Sequence, residues 1–198
     1  MQNFRTKTMT DKELKEKLDK IGYSALWLDY GVLTIKELNK QIKIFENSDD
    51  QNTEHYRYST FKNFLKNHSV ITEKQLNNYL SLIINDEDKT MATSAIIDIF
   101  NLVALTDNQF LIVCNTLISF GDWTKNIIQR QALLRELKKQ KLNDELFEKA
   151  LQFKDPIIHD FLLKNANIIQ LEKLTFFGAN KSIRNIATNK IKQTKNSI

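Results

Sequence analysis

One short string recurs along this chain and narrows the folds open to it more than any other feature. An apolar residue is followed by a polar helix cap and, five positions on, by a second apolar residue. The instances are M-T-D-K-E-L at Met9–Leu14, L-T-I-K-E-L at Leu33–Leu38, I-T-E-K-Q-L at Ile71–Leu76, L-T-D-N-Q-F at Leu105–Phe110 and L-N-D-E-L-F at Leu142–Phe147, with a degenerate I-Q-L-E-K-L at Ile169–Leu174. Four read as capping boxes: Thr10 with Glu13, Thr34 with Glu37, Thr72 with Gln75, and Thr106 with Gln109. In such a box the Thr hydroxyl accepts from the third helical N–H, and the Glu or Gln reaches back to the N–H of the Thr. Each cap stabilises its helix by about 1 kcal/mol. The recurrence is the stronger signal, because evenly repeated helix starts mark a repeat protein.

Each cap opens an amphipathic stretch with apolar residues at i, i+4 and i+7. These are Leu14, Leu18 and Ile21; Leu38, Ile42 and Phe45; Leu76, Leu80 and Ile83; Phe110, Cys114 and Leu117; and Leu146, Ala150 and Phe153. Between them lie expected second-helix starts at Asp49/Asp50, Asp86, Asp122, Asp155 and Asn180. Asp155-Pro156 is the clearest, since Asp caps well and Pro suits the first helical turn, where its missing N–H would have no partner anyway. The second helices carry Phe61, Phe64 and Leu65; Ile96, Ile99 and Phe100; Ile127, Leu134 and Leu137; Ile158, Phe161 and Leu162; and Ile183, Ile186, Ala187 and Ile191. Ser24–Tyr30 reads as a truncated second helix. Spacings between the strings are 24, 38, 34, 37 and 27 residues. The three central ones match helix-pair repeats of about 34 to 47 residues. Gly (4) and Pro (1) are too scarce for a strand-rich fold with many tight turns. The reading is therefore an all-α chain: a lead-in over residues 1–8, then one helical-repeat domain over residues 9–198 with about five helix pairs.

Three second helices carry a resemblance. D-P-I-I-H-D-F-L-L-K-N at Asp155–Asn165, N-K-S-I-R-N-I-A-T-N-K-I at Asn180–Ile191 and, more loosely, N-I-I-Q-R-Q-A-L-L-R-E-L at Asn126–Leu137 resemble second helices of HEAT repeats, a family whose pattern has an Asp near the start, then an apolar–Arg pair, then a small residue. The resemblance implies a curved HEAT-like α-α superhelix whose second helices line the concave side. It implies no activity.

The residues of reactive chemistry do not assemble into a recognised pattern. His55, His68 and His159 stand apart from one another and from Cys114, so no spacing for a metal site is present. Four glycines form no phosphate-cradling loop. Asp98, or Asp122 with Trp123, is the only thinkable acidic–aromatic set, and paired acids at helix starts read as partners of the helix dipole. No enzyme, metal or cofactor is expected. The single Cys114 in F-L-I-V-C-N-T-L-I reads as a buried structural thiol and fits a reducing cytoplasm. M-Q-N-F-R-T-K-T lacks the apolar core of a secretory leader, and the longest apolar run, Phe110–Cys114, is too short to cross a bilayer.

Charge is unevenly placed. The chain carries 29 Lys+Arg and 24 Asp+Glu, net +5. Lys173, Lys181, Arg184, Lys190, Lys192 and Lys195 follow one another with no acid among or after them, whereas the first 172 residues hold 23 bases and 24 acids. That terminal excess is either a solvated helix or a docking surface for something anionic. In H-Y-R-Y-S-T-F-K-N-F at His55–Phe64, Phe61, Phe64 and Tyr58 fall near one face, leaving Tyr56, Arg57 and Lys62 elsewhere. Trp123 reads as either a stacking platform or a core knob.

The leading expectation is a non-enzymatic protein-binding module. In size and style it is similar to bacterial immunity proteins, which neutralise a cognate toxin by covering it. Because the chain is basic, the partner face would be acidic. Expected contacts are Tyr56, Arg57, Trp123, Arg130, His159 and Arg184. The alternative is nucleic-acid binding in the manner of HEAT-like DNA-repair glycosylases, through Lys181, Arg184, Lys190 and Lys192.

Overall fold

Every expected first helix exists. The structure, a computed structural model, describes residues 10–49 and 51–195. The expected lead-in at 1–8 and Asp50 of the Asp49/Asp50 cap lie outside the described residues. Those residues form twelve α-helices and no strand: α1 (Asp11–Lys20), α2 (Leu26–Asp29), α3 (Ile35–Glu46), α4 (Thr53–Asn67), α5 (Glu73–Ile84), α6 (Lys89–Leu102), α7 (Asp107–Ile118), α8 (Lys125–Lys139), α9 (Asp144–Gln152), α10 (Pro156–Asn165), α11 (Ile168–Phe177) and α12 (Lys181–Lys195), with a 3-10 turn at Asp122–Thr124 before α8.

The boxes at Thr10, Thr72 and Thr106 close in both directions. At Thr34 only half forms. The hydroxyl accepts from Glu37 N, but the Glu37 carboxylate takes the amide of Asn63 on α4 at 3.4 Å. A further box sits two residues ahead of the degenerate string, where Asn167 and Gln170 cap α11. Among the second helices, Asp155 and Asn180 cap as expected. Asp86 does not, because its carboxylate is taken by Arg57; Asp88 accepts from Met91 N instead. Asn52 stands at the cap position of α4, and Asp122 opens the 3-10 turn rather than α8.

The chain divides into two compact units, Met1–Gly121 and Asp122–Ile198. The boundary falls between α7 and α8, inside an expected pair. In the N-terminal unit α1 packs on α3, α4 on α6, α5 on α6 and α7, and α6 on α7. In the C-terminal unit α8 packs on α10, α10 on α12 and α9 on α11, while α9 and α11 also pack on α10 and α12. Within each unit, then, helices meet both a sequence neighbour and the like helix of the next pair.

Capping-box glutamines join successive first helices. Gln109 uses Oε1 to accept from Thr106 N at 3.0 Å, and its Nε2 donates to the Ile71 carbonyl ahead of α5 at 2.7 Å. Gln170 does the same, accepting from Asn167 N and donating to Asp144 at the start of α9 at 2.8 Å. A Glu at that position has no donor for the second bond.

The N-terminal core is threaded by aromatic rings. Tyr23 meets Trp27 edge-on at 4.8 Å, Trp27 meets Phe61 at 4.4 Å, and Phe61 meets Tyr79 at 4.8 Å. The Tyr23 hydroxyl, Gln41 and Thr60 close a buried triangle of hydrogen bonds at 2.7, 2.7 and 2.8 Å. Burial pushes the phenols of Tyr23 and Tyr79 above their ordinary value, so both stay neutral donors. The C-terminal core gathers Leu133, Leu137, Phe147, Ala150, Ile158, Leu162, Leu174 and Ala187. Cys114 is buried, as expected.

Candidate functional site

The residues expected to meet a partner fall in very different places. Arg57 belongs to the interior. On α4 the buried positions are Arg57, Thr60, Phe61, Phe64 and Leu65, one stripe at i, i+3, i+4, i+7 and i+8. Its Nε donates to Asp86 Oδ2 at 2.8 Å, one Nη to Asp86 Oδ1 at 3.1 Å, and the other to Thr53 Oγ1 at 3.0 Å. Asp86 Oδ1 also accepts from Asp88 N at 2.9 Å. Gly22 makes this arrangement fit: its φ is +74°, and a Cβ there would stand 2.5 Å from the Arg57 guanidinium. Arg57 is therefore a structural residue and not a surface contact. Its neighbour Tyr56 is half-buried, edge-on to Phe45 at 5.7 Å. Tyr58 donates its hydroxyl to Asp98 at 2.8 Å.

His159 is corrected in the same way. It is fully buried. Its Nδ1 accepts from Ala179 N at 2.9 Å, which makes Nε2 the protonated nitrogen, donating to the Leu151 carbonyl at 3.1 Å. Burial lowers its pKa below the ordinary imidazole value, so the ring is a neutral bridge from α10 to the α11–α12 turn. Arg184 serves that turn too, donating to the Gly178 carbonyl at 2.9 Å. Lys190 is half-buried with its ammonium on the Leu163 carbonyl at 2.8 Å. Of the four cations expected to hold nucleic acid, Lys181 and Lys192 are exposed and Arg184 and Lys190 are half-buried and engaged. Trp123 is no core knob: it is 56% exposed, in the 3-10 turn. Ile186, expected on an apolar face, is also exposed.

The C-terminal unit carries what remains. It holds fifteen basic residues against eight acidic ones, while the N-terminal unit holds fourteen against sixteen. The end of α11 bears Phe176 at 77% and Phe177 at 55% exposure, which with Trp123 are the large exposed aromatic side chains among the described residues. Lys154, in the α9–α10 turn, donates its Nζ to the Phe177 carbonyl at 2.8 Å and lies 5.6 Å from the Phe177 ring centroid. Lys154 has φ +50°, a left-handed backbone that a side chain with a Cβ adopts at a cost. On its other side Lys154 lines a cleft of about 340 Å³ with Asn126, Ile127, Arg130, Phe153, Asp155 and Pro156. Arg130 Nη1 approaches Asp155 Oδ2 at 3.6 Å.

Phe176, Phe177, Lys154 and Asn126 are absent from the sequence-derived site. A signal was present. α11 carries Ile168, Ile169, Leu171, Leu174, Phe176 and Phe177, apolar on nearly every side, yet a helix packed along one stripe buries only part of that. The buried apolar positions are Leu171 and Leu174; the rest face outward.

Among the described residues no three His, Cys, Asp or Glu side chains gather as a metal site, and no helix is long and apolar enough to cross a membrane. No family model, curated protein or solved structure matches the chain.

Proposed function

We propose that this chain is a non-enzymatic protein-binding module of HEAT-like helical repeats, and that its C-terminal unit docks an acidic face of a partner protein. The observation that carries the reading is the exposed Phe176–Phe177 pair, with the Lys154 ammonium fixed against it. Aromatic side chains beside cations are the composition of interface hot spots. The excess of seven positive charges on this unit selects an acidic partner, since complementary potential steers encounter and suppresses wrong pairings. The like-with-like helix packing inside each unit supports the repeat description. In its most concrete form the partner is a cognate toxin, neutralised by being covered, as an immunity protein does.

The test is co-expression with the product of the adjacent gene, followed by gel filtration and a growth assay. A stoichiometric complex that rescues growth, and that is lost in the double variant Phe176→Ala/Phe177→Ala with an unchanged circular dichroism spectrum, supports the reading. An unshifted peak without rescue removes the toxin form. A complex indifferent to both phenylalanines removes the site. The same basic excess favours one competitor, nucleic acid. Retardation of duplex DNA at about 50 mM salt that disappears by about 200 mM, as counterion release requires, would replace the protein reading.

A further inference from the structure

The cleft beside Lys154 contains an arginine that makes no hydrogen bond among the described residues. Arg130 lies on α8 with its side chain 23% exposed, and it has five N–H donors. Its ion-pair partner is Asp155, whose Oδ2 stands 3.6 Å from Nη1, beyond hydrogen-bond reach. Asp155 caps α10 through Oδ1, which accepts from Ile157 N at 2.8 Å and Ile158 N at 3.2 Å, and Oδ2 is the oxygen on the Arg130 side. The Arg130 Nε–H is shielded from solvent and finds no acceptor among the described residues. Buried guanidinium donors are ordinarily satisfied, and one left over is a group awaiting a partner.

The surroundings define that partner. Ile127, Phe153 and Pro156 give the cleft apolar walls, Asn126 places an amide on the same face of α8 one turn before Arg130, and Lys154 stands at the lip. Apolar walls with a few convergent donors are the make-up of a recognition pocket. Turning the guanidinium from Asp155 toward the cleft presents Nε–H and one Nη–H as a parallel fork, the geometry that fits a carboxylate. Lys154 joins this cleft to Phe177 through its hydrogen bond to the Phe177 carbonyl.

We propose that the Arg130 cleft is a carboxylate-recognition site, which takes an Asp or Glu side chain of the partner protein while Phe176 and Phe177 take its apolar surroundings. This deepens the protein-binding reading and rests on it for the source of the carboxylate. Arg130 thus returns as a contact residue, acting together with Lys154 and Asn126.

The test uses the full chain alone, so it does not depend on finding the partner. The Arg130 side-chain Nε–H resonance is followed by nitrogen-correlated NMR during titration with the peptide acetyl-Gly-Glu-Gly-amide, with its Gln counterpart as control and inorganic phosphate as a parallel arm. The expected result is a saturable shift of the Arg130 resonance, and of the Asn126 amide, with the Glu peptide and none with Gln. Arg130→Lys keeps the charge but not the fork and should weaken binding at least tenfold, read from the Asn126 amide. Asp155→Asn preserves the cap while removing the competing carboxylate, so it should tighten binding severalfold; a merely structural Arg130–Asp155 contact predicts no gain. Equal shifts with Gln, tighter binding of phosphate than of the Glu peptide, or no change on Asp155→Asn would overturn the proposal. Carboxylate binding here without any complex with the adjacent gene product leaves the cleft standing and removes the toxin form; a complex indifferent to Arg130→Lys does the reverse.

Discussion

Replacing Asp86 by Ala strands the Arg57 guanidinium inside the N-terminal unit. The pair is desolvated, with side-chain exposures of 10% for Arg57 and 4% for Asp86, and the acceptor geometry is a two-pronged clasp at 2.8 and 3.1 Å. After the substitution Arg57 retains Thr53 Oγ1, and Asp88 N loses its acceptor as well. Breaking a buried pair from one side costs about 3–5 kcal/mol, because an uncompensated charge stays in a low-dielectric site. Asp86→Asn keeps an oxygen for Asp88 N and one Arg57 Nη–H but removes the charge and sets an amide NH2 against the Arg57 Nε–H, so it should cost about 1.5–3 kcal/mol, the range for hydrogen bonds to charged groups. The double variant Arg57→Met/Asp86→Leu removes both charges and should be more stable than Asp86→Ala. Urea unfolding followed by the fluorescence of Trp27, which is buried at the same place, reads these differences in the N-terminal unit. Salt at about 1 M, where the screening length is about 3 Å, should leave them nearly unchanged because the pair is shielded from solvent. A cost below about 1 kcal/mol for Asp86→Ala, or a double variant as unstable as the sum of the single ones, would refute the reasoning.

Three other outcomes follow from the geometry. His159 is neutral in the fold with a lowered pKa, so the unfolded chain binds more protons below about pH 6.5; stability should be full above that value, fall as pH drops through it, and lose that slope in His159→Gln, as read by urea midpoints from pH 7.5 to 5. Gly178→Ala would place a Cβ 2.7 Å from the Leu174 carbonyl oxygen and 2.8 Å from Ile183, and this overpacking should cost about 1–3 kcal/mol, measured as a lowered Tm. Gln109→Glu keeps the helix cap but points a carboxylate at the buried Ile71 carbonyl, and should lose about 1–3 kcal/mol in the same measurement, whereas Glu13→Gln at the exposed box should change little.

The start of nearly every first helix was legible in the order of residues, because a capping box is a local bargain: cap and third residue are brought together by three residues of helical backbone and need nothing else from the fold. Thr10, Thr72 and Thr106 kept it. Thr34 did not, since its Glu37 was offered a cross-helix amide that no short window contains. The periodicity also located the buried stripes of most helices.

Charge misled the reading at Arg57. The spacing from Arg57 to Thr60, Phe61, Phe64 and Leu65 already placed it on the buried face, and what hid this was Asp86, twenty-nine residues away, whose carboxylate makes burial of a guanidinium bearable. His159 was obscured similarly, its polar atoms being satisfied by Leu151 near the end of α9 and Ala179 in the α11–α12 turn.

Local sequence, then, determined that this chain is helical, where most helices begin and which stripe of each is apolar, because capping and periodicity act over one or two turns. Tertiary structure alone decided which polar residues are interior and which apolar ones are left outside, because that depends on pairings across tens of residues. Phe176 and Phe177 are the consequence: one stripe of α11 was enough to close the C-terminal core, and its remaining apolar residues stayed on the surface.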